Sequence, residues 1–195
     1  MRTSDVRIIA FDLDFTLSTY PLTTAEVVAA ALVRSGLDPA ALGPAAAVAF
    51  DYDRLWRELE PGASSADALR LAIWTRLARD RGLDPSLGAP VARAYGDVRR
   101  ESGVRFVDGV PEMLDLLRRR SYRLGLLTNG LSEVQWEKIH ALELEARIDA
   151  IVVGGDIGCF KPDRRAFAAL LERLATTRPA DVLFVGDSYE ADVVG

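Results

Sequence analysis

Short apolar runs bounded by polar residues recur along this chain, and they constrain its fold class more than any other feature. Residues 6–11, 123–127 and 181–185 are brief and rich in branched side chains, and 150–153 form a shorter fourth run. Runs of this kind read as strands buried on both faces. Helical patterns separate the later ones. Residues 111–119 carry Met113, Leu114, Leu116 and Leu117 and end in a basic turn that suits the helix dipole. Residues 131–142 and 163–174 repeat the pattern, the second with Asp163 placed as an N-cap. Strand and helix in alternation imply an α/β fold with a parallel sheet and right-handed crossovers. Ligands are then expected at the carboxyl ends of the strands.

After the first run the pattern changes. Residues 23–103 hold no convincing strand and four helical stretches. Thr23-Thr24-Ala25-Glu26 forms a capping box for one helix, 51–59 continue a second, 65–81 form a third before Gly82, and 90–100 a fourth before Gly103. The Ala-rich stretch 40–49, with Gly43-Pro44 inside, reads as a break. The result is a helical insertion placed directly after strand one, and a length of 195 residues accommodates one domain so interrupted.

Composition narrows the class. Hydrophobic residues at 49% against 27% charged exclude a disordered chain. A net charge of -5 with dispersed arginines offers no nucleic-acid surface. No apolar run approaches the roughly 18 residues of a membrane span, and Met1-Arg2-Thr3-Ser4-Asp5 lacks a signal's apolar stretch. A cytoplasmic protein without membrane partners is expected. The single Cys159 excludes an intramolecular disulfide and a cysteine-based zinc site. At the far end, the last apolar run is followed only by a turn and the start of a helix before Gly195. Either the C-terminal part of the core is missing, which would leave that strand's edge uncovered, or something else covers that edge.

Four segments carry chemistry. In Phe11-Asp12-Leu13-Asp14-Phe15-Thr16-Leu17 two carboxylates stand two residues apart at the end of a strand, where extended backbone would turn both toward one pocket. Acids held that close call for a cation or a proton between them; a solvated turn is the plainer alternative. Leu126-Leu127-Thr128-Asn129-Gly130 runs a strand into a hydroxyl and turn amides suited to phosphate oxygens, or into an ordinary capped turn. Lys161, just before a helix, can neutralise a carboxylate and a phosphate together, or lie in solvent. Gly186-Asp187-Ser188 again ends a strand in an acid, with Asp192 following; magnesium ligation and helix capping are the two readings. Together the segments supply a nucleophile, an acid/base, a hydroxyl, a cation and metal ligands, the inventory of phosphoryl transfer through an aspartyl-phosphate.

In that order the segments resemble the four motifs of the haloacid dehalogenase superfamily of hydrolases. Asp12-Leu13-Asp14-Phe15-Thr16 matches the first, Thr128 the second, Lys161 the third, and Gly186-Asp187-Ser188 through Asp192 the fourth. The resemblance implies a Rossmann-like core, residues 1–17 and 104–195, with 18–103 as a helical cap. It also implies roles: Asp12 as nucleophile, and Asp14 as the acid/base whose backbone carbonyl helps bind Mg2+. Thr128 and the Asn129 amide would hold phosphoryl oxygens, Lys161 would balance the charge on Asp12 and phosphate, Asp187 would bind metal beside Asp12, and Asp192 would support. Relatives that cleave carbon–halogen bonds usually lack the second aspartate, so Asp14 favours a magnesium-dependent phosphatase. Its substrate would be a small phosphorylated metabolite, and Thr128-Asn129-Gly130 resembles members that act on nucleotides or sugar phosphates. The alternatives are a dehalogenase or phosphonate-cleaving relative, and a non-catalytic binding protein with a truncated core. Phe15 departs from the family's small or acidic residue and either narrows the pocket or packs under the cap. Monomer and homodimer both fit.

Other residues read as ordinary. His140 is expected at the surface and Cys159 as a filler. Tyr52, Trp56 and Trp74 read mostly as cap core, with Tyr20, Tyr52, Trp56 and Arg57 the candidates for substrate contact.

Overall fold

The computed structural model describes residues 6–194. The N-terminal residues 1–5, read above as lacking a signal, lie outside the described residues, as does Gly195. The chain divides into two compact units, one made of the chain up to Thr19 and from Val104 onward, the other Tyr20–Gly103.

The first unit is an α/β layer structure. Its strands are β1 (Ile8–Phe11), β4 (Arg123–Thr128), β5 (Ala150–Val153) and β6 (Val182–Val185), all parallel, in the order β5-β4-β1-β6. Helices α5 (Val110–Arg119), α6 (Ser132–Ala141), the short α7 (Gly154–Ile157) and α8 (Arg164–Arg173) connect them. Asp163 caps α8 by accepting from the Arg165 N–H. A two-stranded antiparallel ribbon, β2 (Ser18–Thr19) with β3 (Arg105–Phe106), stands where the chain leaves and re-enters this unit.

Side-chain alternation explains why the strands carry near-continuous apolar runs. Ile9 and Phe11 of β1 join Leu124, Leu126, Ile151 and Val153 in a core with Leu114 of α5 and Ile139 of α6. Ile8 and Ala10 point the other way, with Leu127, Ala150 and Val152, onto Ala166 and Leu170 of α8. Both faces of the sheet are thus filled, as the uninterrupted apolar pattern requires. β6 follows the alternation on one face only: Val182 and Phe184 pack toward α8, while Leu183 and Val185 are 46% and 38% exposed.

The second unit is helical: α1 (Thr24–Arg34), α2 (Ala45–Leu59), α3 (Ala66–Asp80) and α4 (Gly88–Ser102). Thr23 and Glu26 form the expected capping box of α1, and Ser65 caps α3. α2 begins earlier than the Ala-rich stretch suggested, because Pro44 ends the break and the helix starts directly after it. Its core holds Tyr52 stacked on Tyr95 at 4.4 Å, with Trp74 against both rings. The Arg34 guanidinium donates two hydrogen bonds to Glu101, at 2.8 and 2.7 Å, tying α1 to α4. No helix among the described residues is long and apolar enough to cross a membrane.

Gly125 shows how tightly the layers sit. A Cβ added there would lie 3.1 Å from Leu174, 3.2 Å from Leu170 and 3.3 Å from Ala10, so α8 approaches β4 over a position without a side chain. Gly125→Val is expected to overpack this contact and destabilise the protein by about 1–3 kcal/mol. A lower denaturant midpoint at unchanged m-value would register it; an unchanged midpoint would contradict the packing described.

Candidate active site

Strand order decides where chemistry can sit. β4 and β5 extend from one side of β1 and β6 lies on the other, so β1 and β6 flank the point where the winding reverses. In open α/β sheets ligands bind at the carboxyl ends of strands at such a point. Asp12 follows β1 directly, and its N–H donates to the Val185 carbonyl at 2.9 Å, extending the ladder to the last residue of β6. Asp187 follows β6 across Gly186. Register therefore brings the first acid of one strand end beside the acids of the other.

Lys161 fills the space between them. Its ammonium donates to Asp12 Oδ1 at 2.5 Å and to Asp192 Oδ1 at 2.7 Å, and all three side chains are nearly inaccessible to solvent. The second oxygen of Asp192 accepts from the Ser188 N–H at 2.9 Å. The Lys161 ammonium also lies 5.3 Å from the centre of the Phe184 ring. Gly186 makes room for this arrangement, since a Cβ there would overlap the Asp192 carboxylate. Asn129 holds the lysine's backbone from the neighbouring strand end: its side chain accepts from the Lys161 N–H at 2.7 Å and donates to the Lys161 carbonyl at 2.9 Å.

The loop after β1 is wound tightly. The Leu13 carbonyl accepts from the N–H groups of Leu17 and Ser18 at 2.9 Å each, and from the Ser18 hydroxyl. Leu13 and Leu17 are sealed in the core, which leaves Asp12 and Asp14 turned away from it. Each acid has its own cation. Both oxygens of Asp14 accept from the Lys138 ammonium, at 2.8 and 2.7 Å, and one also accepts from the Gln135 amide at 3.3 Å. Phe15 is 65% exposed, with φ of +60° in the left-handed region that a bulky residue rarely adopts. The buried Thr128 hydroxyl donates to Gln135 Oε1 at 3.2 Å.

Oxygens of Asp12, Asp187 and Asp192 lie within 4.8 Å of one another. Burial pushes the Asp12 carboxyl up to about 6, against the pull of Lys161 and with a small addition from Asp192. The stability gained by protonating Asp12 is present below its ordinary value of 3.8 and lost as pH rises through about 6. At neutral pH an ionised Asp12 therefore sits in surroundings that disfavour it, which a hard divalent cation on this all-carboxylate set would correct. The donor chemistry suits magnesium.

Comparison with known proteins agrees with this geometry. The haloacid dehalogenase-like hydrolase family matches residues 6–195. The chain belongs to that family. It is 27% identical to a glyceraldehyde 3-phosphate phosphatase of Methanopyrus kandleri over 97% of this chain and 79% of the relative. The pyrimidine 5'-nucleotidase YjjG of Escherichia coli is 30% identical over 45% of this chain and 38% of its own length. The solved HAD-hydrolase YfnB of Bacillus subtilis, bound to magnesium, shares the fold with a TM-score of 0.75 and 23% identity, over 97% of this chain and 86% of that one. This haloacid dehalogenase-like hydrolase is an enzyme of a family whose matched relatives include phosphatases.

Of the seven residues singled out in the sequence, the structure gathers Asp12, Lys161, Asp187 and Asp192 around one ammonium and one carboxylate trio. Asn129 buttresses them. Asp14 and Thr128 are joined through α6. His140 is exposed beside Glu145, and Cys159 is buried. Gln135 and Lys138 escape a motif-based reading. Their signal lay in helix periodicity: Leu131, Gln135, Lys138 and Leu142 share one stripe, and two polar residues on the inward stripe need partners inside.

Magnesium is expected to raise the thermal midpoint of the protein at neutral pH. Asp187→Asn, which removes a carboxylate from the exposed side of the trio, should blunt that response. Equal stabilisation of both proteins would place the cation elsewhere.

Proposed function

We propose that this enzyme is a magnesium-dependent phosphatase that hydrolyses a small phosphate monoester through a phosphoryl group carried on Asp12. The observation that carries the reading is the buried Asp12 carboxylate, bonded to Lys161 at a strand end and within 4.8 Å of Asp187 and Asp192.

In the first step an Asp12 oxygen attacks phosphorus, and the bond from phosphorus to the ester oxygen breaks. Asp14 delivers a proton to that departing oxygen, giving an alcohol and an aspartyl-phosphate. In the second step a water oxygen attacks the same phosphorus while Asp14 takes its proton. The bond to Asp12 breaks, phosphate leaves, and both acids are restored. Lys161 offsets charge on Asp12 and on the transferring oxygens. The Asn129 main-chain N–H holds those oxygens together with the Thr128 hydroxyl, which donates to Gln135 in the free enzyme and turns onto the phosphoryl group when one binds; the Asn129 side chain is already committed to the Lys161 backbone. Magnesium held by Asp12, Asp187 and the Asp14 carbonyl would neutralise phosphoryl charge, with Asp192 keeping Lys161 in place.

The helical unit Tyr20–Gly103 serves as the family's cap in this reading. Relatives named for glyceraldehyde 3-phosphate and for pyrimidine nucleotides support a small sugar-phosphate or nucleotide substrate. Asp14 favours phosphate over halide chemistry, since a proton is needed at the departing ester oxygen and none at a halide.

Hydrolysis of an aryl phosphate with magnesium, with chelator, and by Asp12→Asn tests the reading. Turnover should require the metal and vanish in the variant. Metal-independent release of halide from a haloacid, or undiminished phosphatase activity in Asp12→Asn, would overturn it.

A further inference from the structure

Lysine is seldom buried, and one placed inside a helix–sheet interface has to be satisfied there. Lys138 is such a residue, with its side chain 8% exposed. Its ammonium meets both oxygens of Asp14 in a fork, at 2.8 and 2.7 Å. Gln135, one turn earlier on α6, donates its amide hydrogen to Asp14 Oδ2 at 3.3 Å. Its carbonyl oxygen accepts from the Thr128 hydroxyl at 3.2 Å and from Lys138 at 3.4 Å. These contacts orient the amide uniquely, because its oxygen faces two donors and its nitrogen faces a carboxylate.

We propose that Lys138 is a positioning residue for Asp14, holding its carboxylate where proton transfer occurs, and that Gln135 ties that placement to Thr128. The proposal rests on the reading of Asp14 as the acid/base. A loop side chain with an exposed neighbour and a strained backbone at Phe15 has little else among the described contacts to define its rotamer. Two bonds from one ammonium restrict both the position and the rotation of the carboxylate, and a rigid helix supplies the ammonium. Thr128, at the end of β4, and Asp14, beyond β1, are thereby referenced to the same helix turn. A stability role alone would not require this, since buried ion pairs are commonly replaceable by apolar residues without loss of stability.

The test compares kcat/KM for para-nitrophenyl phosphate and phenyl phosphate, in the wild type, Lys138→Met, Asp14→Asn and the double variant, all with magnesium. kcat/KM covers the steps up to phosphoryl transfer, and the poorer phenolate leaving group depends more on a well-placed acid. Lys138→Met is expected to lower kcat/KM for phenyl phosphate by about 10- to 100-fold and for the nitrophenyl ester by clearly less. In the Asp14→Asn background the same substitution should add no more than about twofold. Lys138→Arg should restore part of the loss. Gln135→Leu should give the same leaving-group pattern with a smaller factor, and it tests the proposal independently of whether Lys138→Met folds. Equal losses for both esters, or losses that multiply with Asp14→Asn, would overturn the positioning role. Full activity in Asp14→Asn would instead overturn the acid/base reading on which it rests.

Discussion

One buried ammonium group underlies the arrangement of the site. Without Lys161, Asp12 and Asp192 would be two nearly inaccessible carboxylates pressed together, and burial with mutual repulsion would protonate or separate them. With Lys161 between them, the ends of β1 and β6 can carry acids into a dry interior. The compensation is incomplete, since burial still holds the Asp12 carboxyl near 6. That residual imbalance is what a divalent cation or a bound phosphoryl group would act upon. A fully neutralised Asp12 would be stable and a poor nucleophile.

The sheet makes this placement possible. Because β6 returns to the far side of β1, acids distant in sequence become neighbours across one strand spacing. Asn129, at the end of β4, fixes the backbone of Lys161 from the other side. Three strand ends thus cooperate on one lysine. The small residues are part of the same construction: Gly125 admits α8 against β4, and Gly186 leaves space for the Asp192 carboxylate.

Much of this was legible in the sequence, for identifiable reasons. β1, β4 and β5 are apolar runs filled on both faces, β6 is filled on one, and α1, α3 and α8 begin at side-chain caps whose bonds span only a few residues. Asp12, Asp187 and Lys161 stand out because chemistry-bearing residues follow strand ends or precede a helix. What was not legible depends on distance or brevity. The β2–β3 ribbon is two residues long on each side and pairs positions separated by the whole helical insertion, so no local pattern announces it. The two acids of the first motif are two apart in sequence, yet they pair with different lysines, because the tight turn around Leu13 replaces extended backbone. Lys138 and Gln135 belong to no motif and emerge only when α6 is laid against the sheet.

The central claim is that phosphorus passes through Asp12, and stereochemistry tests it most directly. Hydrolysis of a phosphorus-chiral thiophosphate monoester in isotopically labelled water reports whether configuration is retained or inverted. Two successive in-line displacements, the first by Asp12 and the second by water, predict retention. Inversion would mean that water attacks the substrate directly, and would contradict the role assigned to Asp12.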